Sequence, residues 1–155
     1  MRLYEVPHNL ATCRTFLRQN RCHISAHWLD TPMSAADVNF FFTMREQLKL
    51  YHWQTQLFSR HKATDGLLEA LDELIDTYVE VYMGKYGRPK LTTKTNAIRI
   101  QNMNEAMAQR FVKTCITYLE KNLVKHLSPT DTDLVNVRDE IKGELNKVLY
   151  LFTLK

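Results

Sequence analysis

Glycine and proline are scarce, at 4 Gly and 4 Pro in 155 residues. So little turn chemistry argues against a chain of many short strands and for long helices. Cysteine is scarce too. Cys13, Cys22 and Cys115 make an odd count without a framework spacing, and no Asn-x-Ser/Thr sequon occurs. That excludes a disulfide-stapled secreted scaffold and fits a reducing compartment. No apolar run reaches the length of a membrane span. Residues 1–16 lack the apolar centre of a signal peptide, so the expected location is intracellular, in the cytoplasm. Neither charge sign dominates. A net charge of +4 and a pI of about 9.0 permit an anionic partner without demanding one.

What is present is helical periodicity over a length that can bury one substantial core. The class read from it is all-α, with a lead segment 1–33 and a four-helix bundle over 34–155. Ser34 to Asp37 reads as a helix start. The first helix then runs to His52–Gln54, with Val38, Phe41, Met44, Leu48 and Tyr51 on one side. After a break at 54–57, a second helix spans Phe58 to Lys85, ended by Gly84, Gly87 and Pro89. A third is expected over Asn102–Leu127 and, beyond a turn at 128–131, a fourth from Asp133 to Leu151.

The candidate chemistry lies on the second helix. His61, Asp65, Asp76 and Glu80 stand at spacings of 4, 11 and 4, with His52 and Trp53 just upstream. Imidazole and carboxylate at i, i+4 leave one helix face and suit a hard or borderline metal ion. His61 and Asp76 are about 22 Å apart at ~1.5 Å per residue, too far to share an ion. A second copy running antiparallel across a two-fold axis would bring Asp76 and Glu80 against His61 and Asp65. On a wheel this acidic stripe stands about 140° from the arc of Leu67, Leu71, Leu74, Ile75, Tyr78 and Tyr82, at ~100° per residue, so it faces solvent or another molecule. The plainer alternative is a solvated face held by i, i+4 charge pairs.

These residues resemble the Dps-type (miniferritin) branch of the ferritin-like superfamily. The likeness rests on Tyr51-His52-Trp53-Gln54, on Phe58-x-x-His61-x-x-x-Asp65 and on Asp76-x-x-x-Glu80, with a weaker echo in 131–134 and 149–152. It covers about residues 35–153. The resemblance implies a ferritin-like bundle and a homo-oligomer built on a two-fold interface. It implies an iron site made of His52, His61, Asp65, Asp76 and Glu80, where Fe(II) is oxidised by peroxide or dioxygen, with storage and protection of nucleic acid. In those roles the carboxylates hold iron, His61 supplies a neutral nitrogen, and Asp65 ligates or orients a ligand. Trp53 reads as an interface anchor.

The sequence departs from the family in one place: its stretch from His52 to His61 is shorter and lacks the Gly-rich link. Within 34–155 no Glu-x-x-His occurs, so a di-iron oxidase inside a single bundle is not expected. Residues 49–56 and 79–89 also resemble an uncharacterised family encoded by large double-stranded DNA viruses. That likeness implies an alternative: a catalytically silent minor capsid or other virion component, docking on capsid proteins through residues 1–33.

Two further features complete the reading. Lys85, Arg88, Lys90, Lys94 and Arg99 occur with no acid between Glu80 and Glu105, which suits salt-sensitive contact with a phosphate backbone or an ordinary solvated loop. Cys13, Cys22, His23 and His27 have a spacing that fits no common zinc finger. The lead segment carries Arg2, Arg14, Arg18 and Arg21 beside Leu3, Tyr4, Phe16, Leu17, Trp28 and Leu29, enough apolar surface to dock on the bundle or on a neighbour.

Overall fold

The computed structural model describes residues 35–91 and 97–154. The lead segment, with its cysteines and histidines, and Lys94 lie outside the described residues. Four α-helices form among the described residues: α1 (Ala35–Gln54), α2 (Phe58–Tyr86), α3 (Glu105–Lys121) and α4 (Thr132–Leu151). No strand occurs among the described residues, as the all-α reading expects.

Each helix buries one stripe at helical spacing. The buried sets are Phe41, Met44, Leu48 and Tyr51 on α1, and Leu67, Leu71, Tyr78 and Tyr82 on α2. Ala108, Val112, Cys115 and Leu119 do this on α3, and Leu134, Ile141, Leu145 and Val148 on α4. Helix α2 packs on α1 and α4, and α3 packs on α4 and α1, closing a four-membered ring.

Directions follow from the contacts at each end. Arg60 at the start of α2 reaches the Phe152 carbonyl beyond α4. At the far end Tyr118 of α3 meets Asp37 of α1, and Lys85 of α2 meets Asp131 before α4. Helices α2 and α3 therefore run the same way, and the connection 87–104 must travel the length of the bundle. Its described residues 97–102 lie along α1, where Asn39 binds the Ala97 carbonyl, Gln47 exchanges two hydrogen bonds with Gln101, and Gln54 binds Asn102.

That strap explains why α3 starts later than its periodicity suggests. Residues 101–103 give their backbone to α1, and Asn104 caps α3 by accepting from the Met107 N–H at 2.9 Å. The other end also differs, because the chain tightens after Lys121 into a 3-10 turn, Leu123–His126, that buries Leu123. Gly84 does not end α2. Gly87 does, at φ +89, with its N–H on the Met83 carbonyl at 3.0 Å. Gly143 stands on the exposed side of α4, and a Cβ there meets nothing within 4 Å. Gly143→Ala should therefore stabilise by about 1 kcal/mol and raise Tm by about 3 °C; no rise on calorimetry would show that the open site is needed for something else.

Candidate metal centre

The α1–α2 corner is tight. Residues 55–57 are all that separate the helices, and the turn is closed by Thr55 N–H on the Tyr51 carbonyl and His61 N–H on the Leu57 carbonyl, both at 2.9 Å. This short link brings His52, in the last turn of α1, against His61, in the first turn of α2. Their rings stack with centroids 4.0 Å apart and planes 23° apart.

The stack is locked reciprocally. Nδ1 of His52 lies 3.1 Å from the His61 carbonyl oxygen, and Nδ1 of His61 lies 3.1 Å from the His52 carbonyl oxygen. A carbonyl can only accept, so each Nδ1 carries the proton and each neutral ring keeps its lone pair on Nε2, the nitrogen free to ligate. Thr64 adds a second acceptor for His52 Nδ1 at 3.0 Å, while its own hydroxyl donates to the Arg60 carbonyl at 2.8 Å. Burial, then the neighbouring His61 ring and the charge of Lys49, hold the His52 pKa below the usual imidazole value. His52 is thus kept neutral.

Asp65 stands one turn beyond His61, exposed, and accepts from Lys62 at 3.1 Å. That bond and the Lys62 charge hold its carboxyl below the usual carboxylate range. Asp76 and Glu80 are exposed on the same unbroken helix, so the separation of about 22 Å from His61 is retained. Among the described residues no group of three His, Cys, Asp or Glu converges within one chain.

Beside Asp76, α1 and α2 leave a groove of about 380 Å³ lined by Val38, Phe41, Phe42, Ile75 and Val79. Arg45 bridges it, with Nε and Nη2 on the two Asp72 carboxylate oxygens at 2.8 and 3.0 Å and Nη1 on Glu46 at 2.8 Å.

Of the basic residues, Lys85 is already matched: its ammonium reaches Asp131 at 3.0 Å and Asp133 at 2.5 Å. Arg88, Lys90 and Arg99 are exposed. No helix among the described residues is long and apolar enough to cross a membrane.

The sequence reading missed what braces the corner. Arg60, 8% exposed, binds the Glu105 and Phe152 carbonyls at 3.0 and 3.1 Å, pairs with the Glu105 carboxylate at 3.0 Å and stacks over the Phe152 ring. Tyr51 donates a short hydrogen bond to the same carboxylate, and Thr55 donates to it at 2.8 Å. Tyr51 precedes His52 and Arg60 precedes His61, so this network fixes the two backbones that lock the imidazoles. Little in the sequence signals it, because Arg60 stands in a polar stretch between Ser59 and His61.

Residues 52–152 match a family described as "Family of unknown function (DUF5856)". The match begins at His52 and takes in His61, Asp65, Asp76 and Glu80. The chain is also similar to the "Uncharacterized 14.6 kDa protein in mobD-ri intergenic region" of Enterobacteria phage T4. The two are 26% identical over 104 residues, which is 67% of this chain and 75% of that protein. No solved structure matches the chain.

Proposed function

Given that the chain belongs to DUF5856, a family of unknown function, we propose from its own geometry that it is a Dps-like iron-binding protein whose site is divided between two copies. The observation that carries this reading is the pair of tautomer-locked imidazoles. His52 and His61 offer Nε2 lone pairs beside Asp65, and the complementary carboxylates Asp76 and Glu80 stand exposed about 22 Å along the same helix. A mixed imidazole and carboxylate set suits Fe(II) as cargo, and the carboxylate charge favours Fe(III) once it is oxidised. The single long crossover, a connectivity found in ferritin-like bundles, supports the same reading.

Anaerobic Fe(II) titration followed by peroxide is the test. Saturable binding and an oxidation signal are expected from the parent, and loss of both from His61→Ala and from Asp76→Asn. Mixing those two variants should restore one intact site per mixed dimer, because His61 of one chain then meets Asp76 of the other. No binding by the parent, or no recovery on mixing, would sink the divided site.

A second reading, a silent structural protein of a virus particle, draws on the phage relative and on one cluster of side chains. Leu57, Phe58, Tyr150 and Leu154 are exposed at one end of the bundle, where Ser59 meets the Leu154 carbonyl. Such a patch suits packing against another protein.

A further inference from the structure

The outer face of α1 carries one stripe, Phe42, Glu46, Lys49 and Trp53, at spacings of 4, 3 and 4, exposed at its two ends and half-buried between them. Trp53 is 69% exposed and Phe42 47%, and Lys49 Nζ stands 5.5 Å from the Trp53 ring centroid. Phe42 lines the groove at the opposite end of the stripe from Trp53. An apolar groove and a bare indole at opposite ends of one helix face are two halves that a two-fold axis can join.

The register can be worked out. Setting His61 and Asp65 against Asp76 and Glu80 of a second copy puts the axis across α2 between Ala70 and Leu71. Arg45 is level with Asp72, and Phe41 with Tyr78, so the same axis crosses α1 between Gln47 and Leu48. Residues equidistant from that point then face one another: Phe42 meets Trp53, and Glu46 meets Lys49. Val38, deeper in the groove, comes level with Leu57, which is 47% exposed. The pairing set by the ligands alone therefore also matches apolar to apolar and acid to base on a different helix. Two like-charge approaches result: Asp65 toward Asp76, where Lys62 already pairs with Asp65, and Glu69 toward Asp72 near the axis, where Arg45 already supplies the counter-charge.

We propose that a second copy of this chain packs antiparallel on the α1–α2 face and seats its Trp53 in the groove beside Phe42, with Lys49 facing Glu46 on either side of the two-fold axis. This rests on the divided-site reading for its register, but its contacts need no metal. Aromatic anchors seated in a groove supply most of the energy of such an interface, and the charged pairs between them set its register.

The test is sedimentation in chelator, with Trp28→Phe as the background so that Trp53 is the sole tryptophan, excited at the red edge where tyrosine does not absorb. A dimer is expected, with Trp53 emission shifting to the blue as it forms. Phe42→Asp should weaken the dimer by about 100-fold or more. Glu46→Lys and Lys49→Glu should each weaken it by about tenfold, and the double swap should recover most of that loss even though Glu46 also pairs with Arg45. A dimer whose Trp53 keeps solvent-exposed emission, or a double swap no tighter than the single ones, overturns the interface. A dimer with this behaviour that binds no Fe(II) upholds the interface and removes only the iron reading. Fe(II) bound by an assembly with Trp53 still in water overturns the interface and leaves iron binding standing.

Discussion

Replacing Arg60 with methionine should cost about 3 kcal/mol of folding stability and lower Tm by about 10 °C. Methionine keeps the stem's packing but deletes every donor. The Phe152 carbonyl loses a partner inside the bundle, and the Glu105 carboxylate loses its cation while still facing Tyr51 and Thr55. Glu105 is 37% exposed at its side chain, so water recovers part of its share, and a fully buried pair would cost more. Tyr51→Phe removes the hydroxyl that donates to Glu105 and accepts weakly from Arg60 at 3.4 Å, and should cost about 1 kcal/mol. Urea unfolding of the two variants distinguishes them. Should Arg60→Met unfold at the same midpoint as Tyr51→Phe, the guanidinium is not the brace of this corner.

This brace shows how far the sequence could be read. Helix existence was legible because apolar spacing is a local property: α1, α2 and α4 start and stop within a residue or two of their periodicity. The ligand spacing on α2 was legible for the same reason, as it is arithmetic along one helix. Arg60 with Glu105, and Asp37 with Tyr118 and His126, were not. They join residues far apart in sequence, and no periodicity points from one member to the other.

The α3 boundary was missed for a related cause. Residues 97–103 have no helix-breaking residue, yet their backbone is claimed by Asn39, Gln47 and Gln54 on another helix. The His52–His61 stack lay between these cases. The short link was visible in the sequence, but not that it would press one ring on the other and fix both tautomers.

At the other end of the bundle, Asp131→Asn should cost about 3 kcal/mol near neutral pH, and the loss should shrink in acid. Asp131 is 3% exposed and accepts from Tyr86 at 2.6 Å, the Ser128 N–H at 2.7 Å and Lys85 at 3.0 Å. An amide turns one of those acceptor oxygens into a donor facing donors. Burial by itself would raise the Asp131 pKa, but the Tyr86, Ser128 and Lys85 hydrogen bonds outweigh it, and the carboxyl sits below the usual carboxylate range. Reciprocally, burial and then Asp131 push the Tyr86 phenol up to about 12.

A carboxyl with a depressed folded pKa contributes stability that is fully present above its unfolded pKa of about 3.9. That contribution is lost as pH falls through the folded value. The parent should therefore lose stability below about pH 4 while the asparagine variant, lacking this carboxylate, loses less. Urea midpoints at neutral pH and near pH 3 would then converge. A gap between parent and variant that stays constant across that range would mean that the site is held by shape, and not by the charge that Lys85, Tyr86 and the Ser128 N–H surround.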